Sequence, residues 1–262
     1  MGLGAAAIAA ARLEAIAGGE TPLRKAPGKD ASAGARMHIV TLSFDDGFRK
    51  SNIKIAELYE KYGLIACFNI IATADRSDFA IPNETLKGFG DWALWRELAA
   101  RGHEIMPHGY KHINLTKVPF DEAKELTLKC LDVFDKELPG FKRERAVYNF
   151  PYNASTPELE AWLPTVVRAF RTGWGAINPL PTKKTVKITT HAIGPENCER
   201  DLDKWIDELL KLPSGWLVYN THGLDDEGWG PIGSVYLDKL LDRLIGIPTV
   251  RVMPTGRTLD MP

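Results

Sequence analysis

The stretch His38-Ile39-Val40-Thr41-Leu42-Ser43-Phe44-Asp45-Asp46-Gly47 is the starting point for interpreting the whole chain. Its first seven residues are rich in β-branched and apolar side chains, which predicts a buried strand. The strand ends at two adjacent carboxylates, which repel each other and resist burial. A bound cation is the usual compensation for such a pair. A solvated turn is the alternative interpretation, because Asp-Gly is also an ordinary turn sequence.

Size and composition favour one large α/β domain. The chain has 262 residues, of which 44% are hydrophobic and 26% are charged, as is ordinary for a globular protein. Its formal net charge is -1, and it has no long run of basic residues. Electrostatic capture of nucleic acid or of an anionic membrane is therefore not expected.

The N-terminal residues differ in composition from the rest. Residues 1–36 are rich in alanine and glycine and predict an extension, with the compact domain spanning 37–262. The apolar part is too short for a membrane span and poor as a signal peptide, and no other stretch predicts a span. The three cysteines lie far apart and form no disulfide framework, at Cys67, Cys130 and Cys198. We therefore favour a cytoplasmic location, although the sequence leaves localisation open.

Predicted strands and helices alternate along almost the whole chain. Strands are predicted at 38–44, 65–71, 104–106, 145–150, 166–170, 186–190, 216–221 and 249–253. Helices are predicted at 52–62, 91–101, 121–138, 157–163, 199–212 and 232–245. This alternation indicates a parallel sheet with helices outside. Seven or eight strands in about 220 residues favour a distorted (β/α) barrel over an open sheet.

Polar residues cluster where the predicted strands end. In βα folds these ends converge on one face, where active sites are built. The clusters are Asp45-Asp46, His108 with His112, Pro151-Tyr152 and His222. Two histidines and one carboxylate can hold zinc or another divalent ion and leave coordination positions open for water and substrate.

Several of these motifs together resemble the polysaccharide deacetylases, carbohydrate esterase family 4. They are Ser43-Phe44-Asp45-Asp46-Gly47, then Gly102-His103-Glu104-Ile105 leading to His108-Gly109-Tyr110-Lys111-His112, and later Phe150-Pro151-Tyr152 and His222. The resemblance covers about residues 37–256. It implies a distorted (β/α) barrel and the metal-dependent removal of acetyl groups from N-acetylated sugars, such as chitin-like oligosaccharides or cell-wall glycans.

The resemblance also implies a role for each motif residue. One divalent ion, expected to be Zn²⁺ with Co²⁺, Ni²⁺ and Mn²⁺ as alternatives, would be held by Asp46, His108 and His112. Asp45 would be the general base, His222 the general acid, and the backbone N–H of Tyr152 an oxyanion donor. Near these motifs, side chains that could contact a carbohydrate are Tyr110, Pro151, Trp174 and Trp229.

Two positions depart from the family pattern. Asn149 stands where the family often has an arginine that orients the base, and Asn220 stands where a leucine usually walls the acetyl pocket. These departures keep open a related hydrolase of a non-sugar linear or cyclic amide, such as a ureide. A glycan-binding module without activity is a further alternative. Asp201 is expected to cap a helix and His191 to be structural, while substrate length and oligomeric state are not predicted.

Overall fold

The computed structural model describes residues 36–77, 79, 88–175 and 177–261. Its strands are β1 (Met37–Asp46), β2 (Cys67–Ile70), β3 (Glu104–Pro107), β4 (Val147–Asn149), β5 (Ala169–Trp174), β6 (Ile177–Asn178), β7 (Lys187–Thr190), β8 (Ser214–Thr221) and β9 (Val250–Val252). Its helices are α1 (Arg49–Lys61), α2 (Trp92–Ala100), α3 (Phe120–Glu137), α4 (Pro157–Trp162), α5 (Cys198–Lys211), α6 (Ser234–Ile245) and α7 (Thr255–Leu259).

Strand β1 lies at the centre of the larger of two sheets. That sheet has the order β3-β2-β1-β8-β6, with β9 also paired to β1, and the smaller sheet has the order β4-β5-β7. Every ladder is parallel except that of β6 with β8. Eight strands thus pair in parallel, and the predicted α/β class with a distorted barrel is confirmed. Over the described residues the barrel is not closed, because β3 and β4 share no ladder and β7 meets β8 only at the His191–Tyr219 bridge.

Alternate residues of β1 point to opposite sides of the sheet, as they must in any strand. Val40, Leu42 and Phe44 belong to the main core between strands and helices. The other side of the strands faces the barrel interior and forms two layers. The apolar layer consists of Ile39, Val147, Ala169, Ile188, Trp216 and Val218, closed by Leu259 of α7. The polar layer, nearer the C-terminal strand ends, consists of Ser43, Asp45, Asn69, Asn149, Arg171 and Asn220, all buried.

Most predicted elements are present, with displaced ends. Asp91 caps α2 as predicted, its carboxylate accepting from the Leu94 N–H at 2.9 Å. The predicted strand at 166–170 begins later, at Ala169, because a helical turn follows α4 first. The capping role predicted for Asp201 is wrong, since Asn197 is the N-cap of α5 and Asp201 lies inside the helix. Helix α7 and strand β6 were not predicted.

The predicted extension over residues 1–36 lies, except for Arg36, outside the described residues, so the domain boundary stays a prediction. Within the described part of the chain, none of the helices combines the length and the apolar character that a membrane crossing needs.

Candidate metal centre and active site

The end of β1 turns sharply, and this turn places the two aspartates. Asp46 has a φ of 72° and Gly47 a φ of 90°, both in the left-handed region. A Cβ on Gly47 would come within 2.9 Å of the Trp95 ring, so only glycine fits there. His112 and Tyr152 also have positive φ, at 52° and 58°. Non-glycine residues rarely adopt this conformation, and such strain concentrates at functional sites.

Asp46, His108 and His112 form a buried group that we call the metal trio. One ligand atom from each lies within 4.8 Å of the others. The Nε2 atoms of His108 and His112 are 3.4 and 3.3 Å from Asp46 Oδ1. That oxygen is buried, and no described residue gives it a hydrogen bond. An orphaned carboxylate oxygen between two imidazole nitrogens fits a bound cation, so the donor set matches the implied metal.

The surroundings prepare the trio for a cation. His108 Nδ1 donates to the Asn149 carbonyl at 2.9 Å, which leaves its Nε2 free as a ligand. Burial lowers the pKa of His112 to about 4, so this imidazole is neutral at pH 7. Burial opposes ionisation of Asp46, but His112 and its other histidine neighbours hold the pKa of this carboxyl below its usual range. A neutral imidazole and an ionised carboxylate are the forms that bind metal.

Asp45 has the opposite surroundings. Its carboxylate accepts hydrogen bonds from Asn69 and Arg171, and together with Ser43, which accepts from both of them, these residues form what we call the Asp45 cradle. Asn69 Nδ2 and Arg171 Nη1 donate to Asp45 Oδ1 at 2.7 and 2.9 Å, and Arg171 Nη2 donates to Oδ2 at 2.5 Å. Ser43 Oγ accepts from the same Asn69 and Arg171 nitrogens. Asn149 donates to Asn69 Oδ1 at 2.8 Å and so fixes the orientation of its amide.

The cradle keeps Asp45 ionised. Burial alone would raise the pKa of Asp45, but the Arg171 guanidinium and His108 outweigh burial and lower it. Arg171 itself is fully buried, with an exposed fraction of 0%. A buried arginine needs a partner, and a two-point ion pair with a carboxylate is the geometry that arginine favours.

The metal trio and Asp45 line a cavity of about 330 Å³ that is also lined by His222. Burial lowers the pKa of His222, against the attraction of Asp46 and Asp45. Tyr152 and Trp229 line the same cavity, and each is 44% exposed. The Tyr152 ring lies 4.6 Å from that of His112, and the Trp229 ring meets His222 edge-on at 5.3 Å.

Comparison with known proteins agrees with this arrangement. A family model described as polysaccharide deacetylase matches residues 33–164, which is half of the chain. The chain belongs to the polysaccharide deacetylase family. It is therefore an enzyme, a metal-dependent hydrolase that removes N-acetyl groups from sugar substrates, and the resemblance drawn from its motifs is confirmed. No curated protein sequence matches the chain.

Solved structures of carbohydrate esterases and of a deacetylase share the fold at low sequence identity. A carbohydrate esterase domain of a multidomain xylanase from a Trinervitermes trinervoides hindgut metagenome has a TM-score of 0.58 at 12% identity, over 86% of this chain and 91% of that one. A peptidoglycan N-acetylglucosamine deacetylase has a TM-score of 0.57 at 17% identity, over 86% and 94%. A family 4 carbohydrate esterase from Streptomyces lividans has a TM-score of 0.55 at 14% identity, over 84% and 94%.

These findings decide between the alternatives left open by the sequence. The comparisons support an enzyme rather than a glycan-binding module without activity. Nothing in the comparisons supports hydrolysis of a non-sugar amide. The metal trio gives a site for the family's metal, without fixing which ion it holds.

Arg171 is the functional residue that the sequence analysis missed. Asn149, where the family often has the arginine that orients the base, is directly paired with Arg171 across the β4–β5 ladder. The guanidinium thus comes from the neighbouring strand and still reaches Asp45. The sequence contains one indication of this role, an arginine within an apolar strand, two residues after Ala169. Buried arginines are rare unless they are paired, so an arginine at such a position indicates a buried acidic partner.

The remaining predicted site residues lie in different places. Tyr110 is not among the residues that line the cavity; its ring lies beside Arg76. Pro151 is buried, and a Cβ on Gly109 would come within 2.8 Å of its ring. Trp174 ends β5, and its side chain is outside the described part of the chain.

His191 lies on the outer side of the barrel wall, as a structural residue would. Its ring packs against Trp205 of α5 and against Tyr219, at 5.0 and 6.0 Å. Its Nε2 is 2.9 Å from Asp201 Oδ2, and this carboxylate oxygen accepts a hydrogen bond from the Tyr219 hydroxyl. Asp201 therefore joins α5 to the strands, which explains a carboxylate inside this helix.

Proposed function

We propose that the chain removes the N-acetyl group of an amino-sugar residue in a chitin-like oligosaccharide or cell-wall glycan, with Zn²⁺ in the metal trio. The observation that carries this proposal is the contrast between two adjacent buried carboxylates in one cavity. Asp46 Oδ1 has no hydrogen-bond partner among the described residues, whereas both oxygens of Asp45 have donors. One carboxylate is thus arranged to hold a cation, and the other is held for proton transfer.

A cation in the trio would supply Lewis acidity, lowering the pKa of water and polarising the amide carbonyl. Asp45 is the base that accepts a proton from the attacking water at Oδ2. This oxygen lies 3.5 Å from His108 Nε2 and therefore next to the trio. Arg171 and Asn69 hold the carboxylate so that it can point in one direction only.

His222 is the acid that gives a proton to the leaving nitrogen. This proton is needed because an amide anion is a very poor leaving group. Histidine suits the role because an imidazole can take up and release a proton near neutral pH. Burial lowers the pKa of His222, but the neighbouring Asp46 and Asp45 carboxylates favour its protonated form. The backbone N–H of Tyr152 would help to stabilise the oxyanion, as the family pattern implies.

The two half-exposed rings suit a carbohydrate. Tyr152 and Trp229 line the cavity. The Tyr152 ring lies against the metal ligand His112, and the Trp229 ring lies against the general acid His222. Sugar faces pack on aromatic rings, so this pair would hold one sugar residue with its acetamide directed into the cavity. Tyr110, Pro151 and Trp174 remain predicted contacts for further residues of the substrate.

The test is acetate release from N-acetylglucosamine oligomers of increasing length, with added zinc or cobalt and with a chelated control. We expect metal-dependent acetate, because both proton-transfer groups and the ligand set face one cavity. An Asp46→Asn variant is the matched control and should lose metal and acetate together. Protein shown to hold metal that releases no acetate from any acetylated sugar would contradict the proposal.

A further inference from the structure

One wall of the cavity is polar where the family pattern has an apolar side chain. This wall is formed by Asn220 of β8, by Asn153 next to Tyr152, and by the small residue Ala192. Asn220 is 3% exposed and directly paired with Ser43 of β1. A leucine is the usual residue two positions before the acid histidine.

The amide of Asn220 has a fixed orientation. Its Nδ2 lies 3.3 Å from the Ser43 carbonyl and 3.2 Å from the Thr221 carbonyl, and carbonyl oxygens can only accept. Its Oδ1 therefore faces Asn153 and accepts from Asn153 Nδ2 at 3.1 Å. This contact in turn defines which end of the Asn153 amide is nitrogen.

The consequence is an acceptor without a donor. Asn153 Oδ1 is buried, and none of the described residues donates to it. A buried acceptor that is left unpaired is costly, so a donor that reaches it gains free energy. The residue is held in place at φ 50° while Thr172 Oγ1 donates to its backbone carbonyl at 3.3 Å. The amide is thus a fixed feature of this wall.

The position of this wall indicates which part of a substrate meets it. The scissile carbonyl carbon has to lie between Asp45 and the metal trio, and the amide nitrogen has to lie next to His222. The third substituent of that carbon is the remainder of the acyl group. With the trio, Asp45, His222 and the two aromatic rings assigned, the cavity lining left for it is Asn153, Ala192 and Asn220. A side chain at this position therefore selects the acyl group rather than the sugar.

We infer that the acyl group this enzyme removes best carries a hydrogen-bond donor on the carbon next to the carbonyl, as a hydroxyacetyl (glycolyl) amide does. This inference rests on the proposed function, because it assigns the acyl pocket of the same site. Water adds OH to the acyl carbon, the C–N bond breaks and the nitrogen takes a proton, giving glycolate and the free amine. The glycolyl hydroxyl donates to Asn153 Oδ1, which the methyl of an acetyl group cannot do.

The expected discrimination is measurable. A site with a buried polar group rejects an analogue that cannot pair with that group. We expect kcat/KM for N-glycolylglucosamine oligomers to exceed that for N-acetylglucosamine oligomers of equal length at least about tenfold. N-propionylglucosamine oligomers are the matched control for size, because propionyl carries a methyl where glycolyl carries the hydroxyl. They should be cleaved no faster than the acetyl compounds.

Two variants assign the preference to this wall. Asn153→Gly removes the amide and keeps the left-handed backbone that glycine tolerates, whereas alanine would be strained there. Asn220→Leu restores the family's residue on β8. Each variant should reduce the glycolyl-to-acetyl ratio of kcat/KM about tenfold.

Asn52→Ala is the control. Asn52 is buried on α1 with no partner for its amide among the described residues, and the described cavity lining does not include it. Its ratio should equal that of the unaltered protein.

Each outcome has one meaning. A glycolyl preference that Asn153→Gly removes and Asn52→Ala keeps would support the inference. Equal rates for glycolyl and acetyl, equal rates for glycolyl and propionyl, or a preference that survives in both wall variants would overturn it while the deacetylase function stands. Metal-loaded protein that cleaves none of the three acyl groups would overturn the proposed function as well. Circular dichroism of each variant shows whether it is folded. If Asn153→Gly does not fold, Asn220→Leu provides the test.

Discussion

The metal trio and the Asp45 cradle lie side by side and handle buried charge in opposite ways. In the trio, a carboxylate oxygen lies between two imidazoles without a hydrogen bond from any described residue. In the cradle, a carboxylate one residue away accepts three hydrogen bonds, two of them from Arg171. A buried charge needs either a partner within the protein or a bound ion. The difference therefore shows which carboxylate waits for a ligand and which is already compensated.

The largest effect should come from breaking the trio. We expect His108→Ala to lose bound metal and to reduce kcat/KM more than about 1,000-fold. Removing a residue that hydrogen-bonds to a metal ligand typically costs about 10- to 100-fold in metal affinity or activity, and removing the ligand itself should cost more. Metal content by elemental analysis, together with acetate release, checks this. A variant that keeps one metal per chain and its activity would show that the trio is not the metal site.

The next effect should come from the carboxylate inside the cradle. Asp45→Asn should keep its metal and lose kcat by about 10²- to 10⁴-fold, the usual contribution of a positioned base. KM should change little, since Asp45 has its role in proton transfer rather than in holding the sugar. Elemental analysis of the same sample separates the two roles, and a normal turnover rate would exclude Asp45 as the base.

Arg171→Met tests whether the cradle works as an ion pair. It leaves the Asp45 carboxylate buried without its cation, so we expect the free energy of unfolding to fall by about 3–5 kcal/mol. The same change in an Asp45→Asn background should cost clearly less, because no buried charge is then abandoned. Urea unfolding of the single and double variants gives the coupling energy. Equal costs in both backgrounds would mean that Arg171 acts through packing alone.

The same contrast explains what could be predicted from the sequence. The trio is predictable because its residues belong to short motifs that follow strands, with His108 and His112 four positions apart. The cradle is not, because Arg171 reaches Asp45 across 126 positions and only through the register of four strands. Asn149 was correctly noted as a departure, but its ladder partner becomes visible only once β4 and β5 are aligned. The fold class follows from the alternation of predicted strands and helices. The lack of a ladder between β3 and β4 depends on details of strand pairing that this alternation does not contain.

A third carboxylate, that of the partly buried Glu104, sharpens the comparison, because it has hydrogen bonds but no ion pair with any described residue. It accepts from Thr255 Oγ1 at 2.8 Å and from the Gly256 N–H at 2.9 Å, remote from the trio at the other end of β3. Burial nevertheless raises the pKa of Glu104 above 4.5, whereas the pKa of Asp45 is lowered. Hydrogen bonds alone thus do not offset burial here, and the guanidinium accounts for the difference at Asp45.

The smallest predicted effect follows from the sign of that shift. With a raised pKa, the folded state binds the Glu104 proton more tightly than the unfolded state, so stability falls as pH rises from about 4.5 through the folded value. Glu104→Gln removes this dependence, and we expect its stability relative to the unaltered protein to increase between pH 4.5 and pH 8, by less than the other predicted changes. Melting temperatures of the two proteins across this range measure the difference, and titration of the trio cancels because both contain it. Asp45 does not interfere, since its lowered pKa confines its contribution to pH values below 3.8.

A stability difference between the two proteins that stays constant with pH would show that hydrogen bonds suffice to hold Glu104 ionised. The special role given to Arg171 at Asp45 would then lose its support.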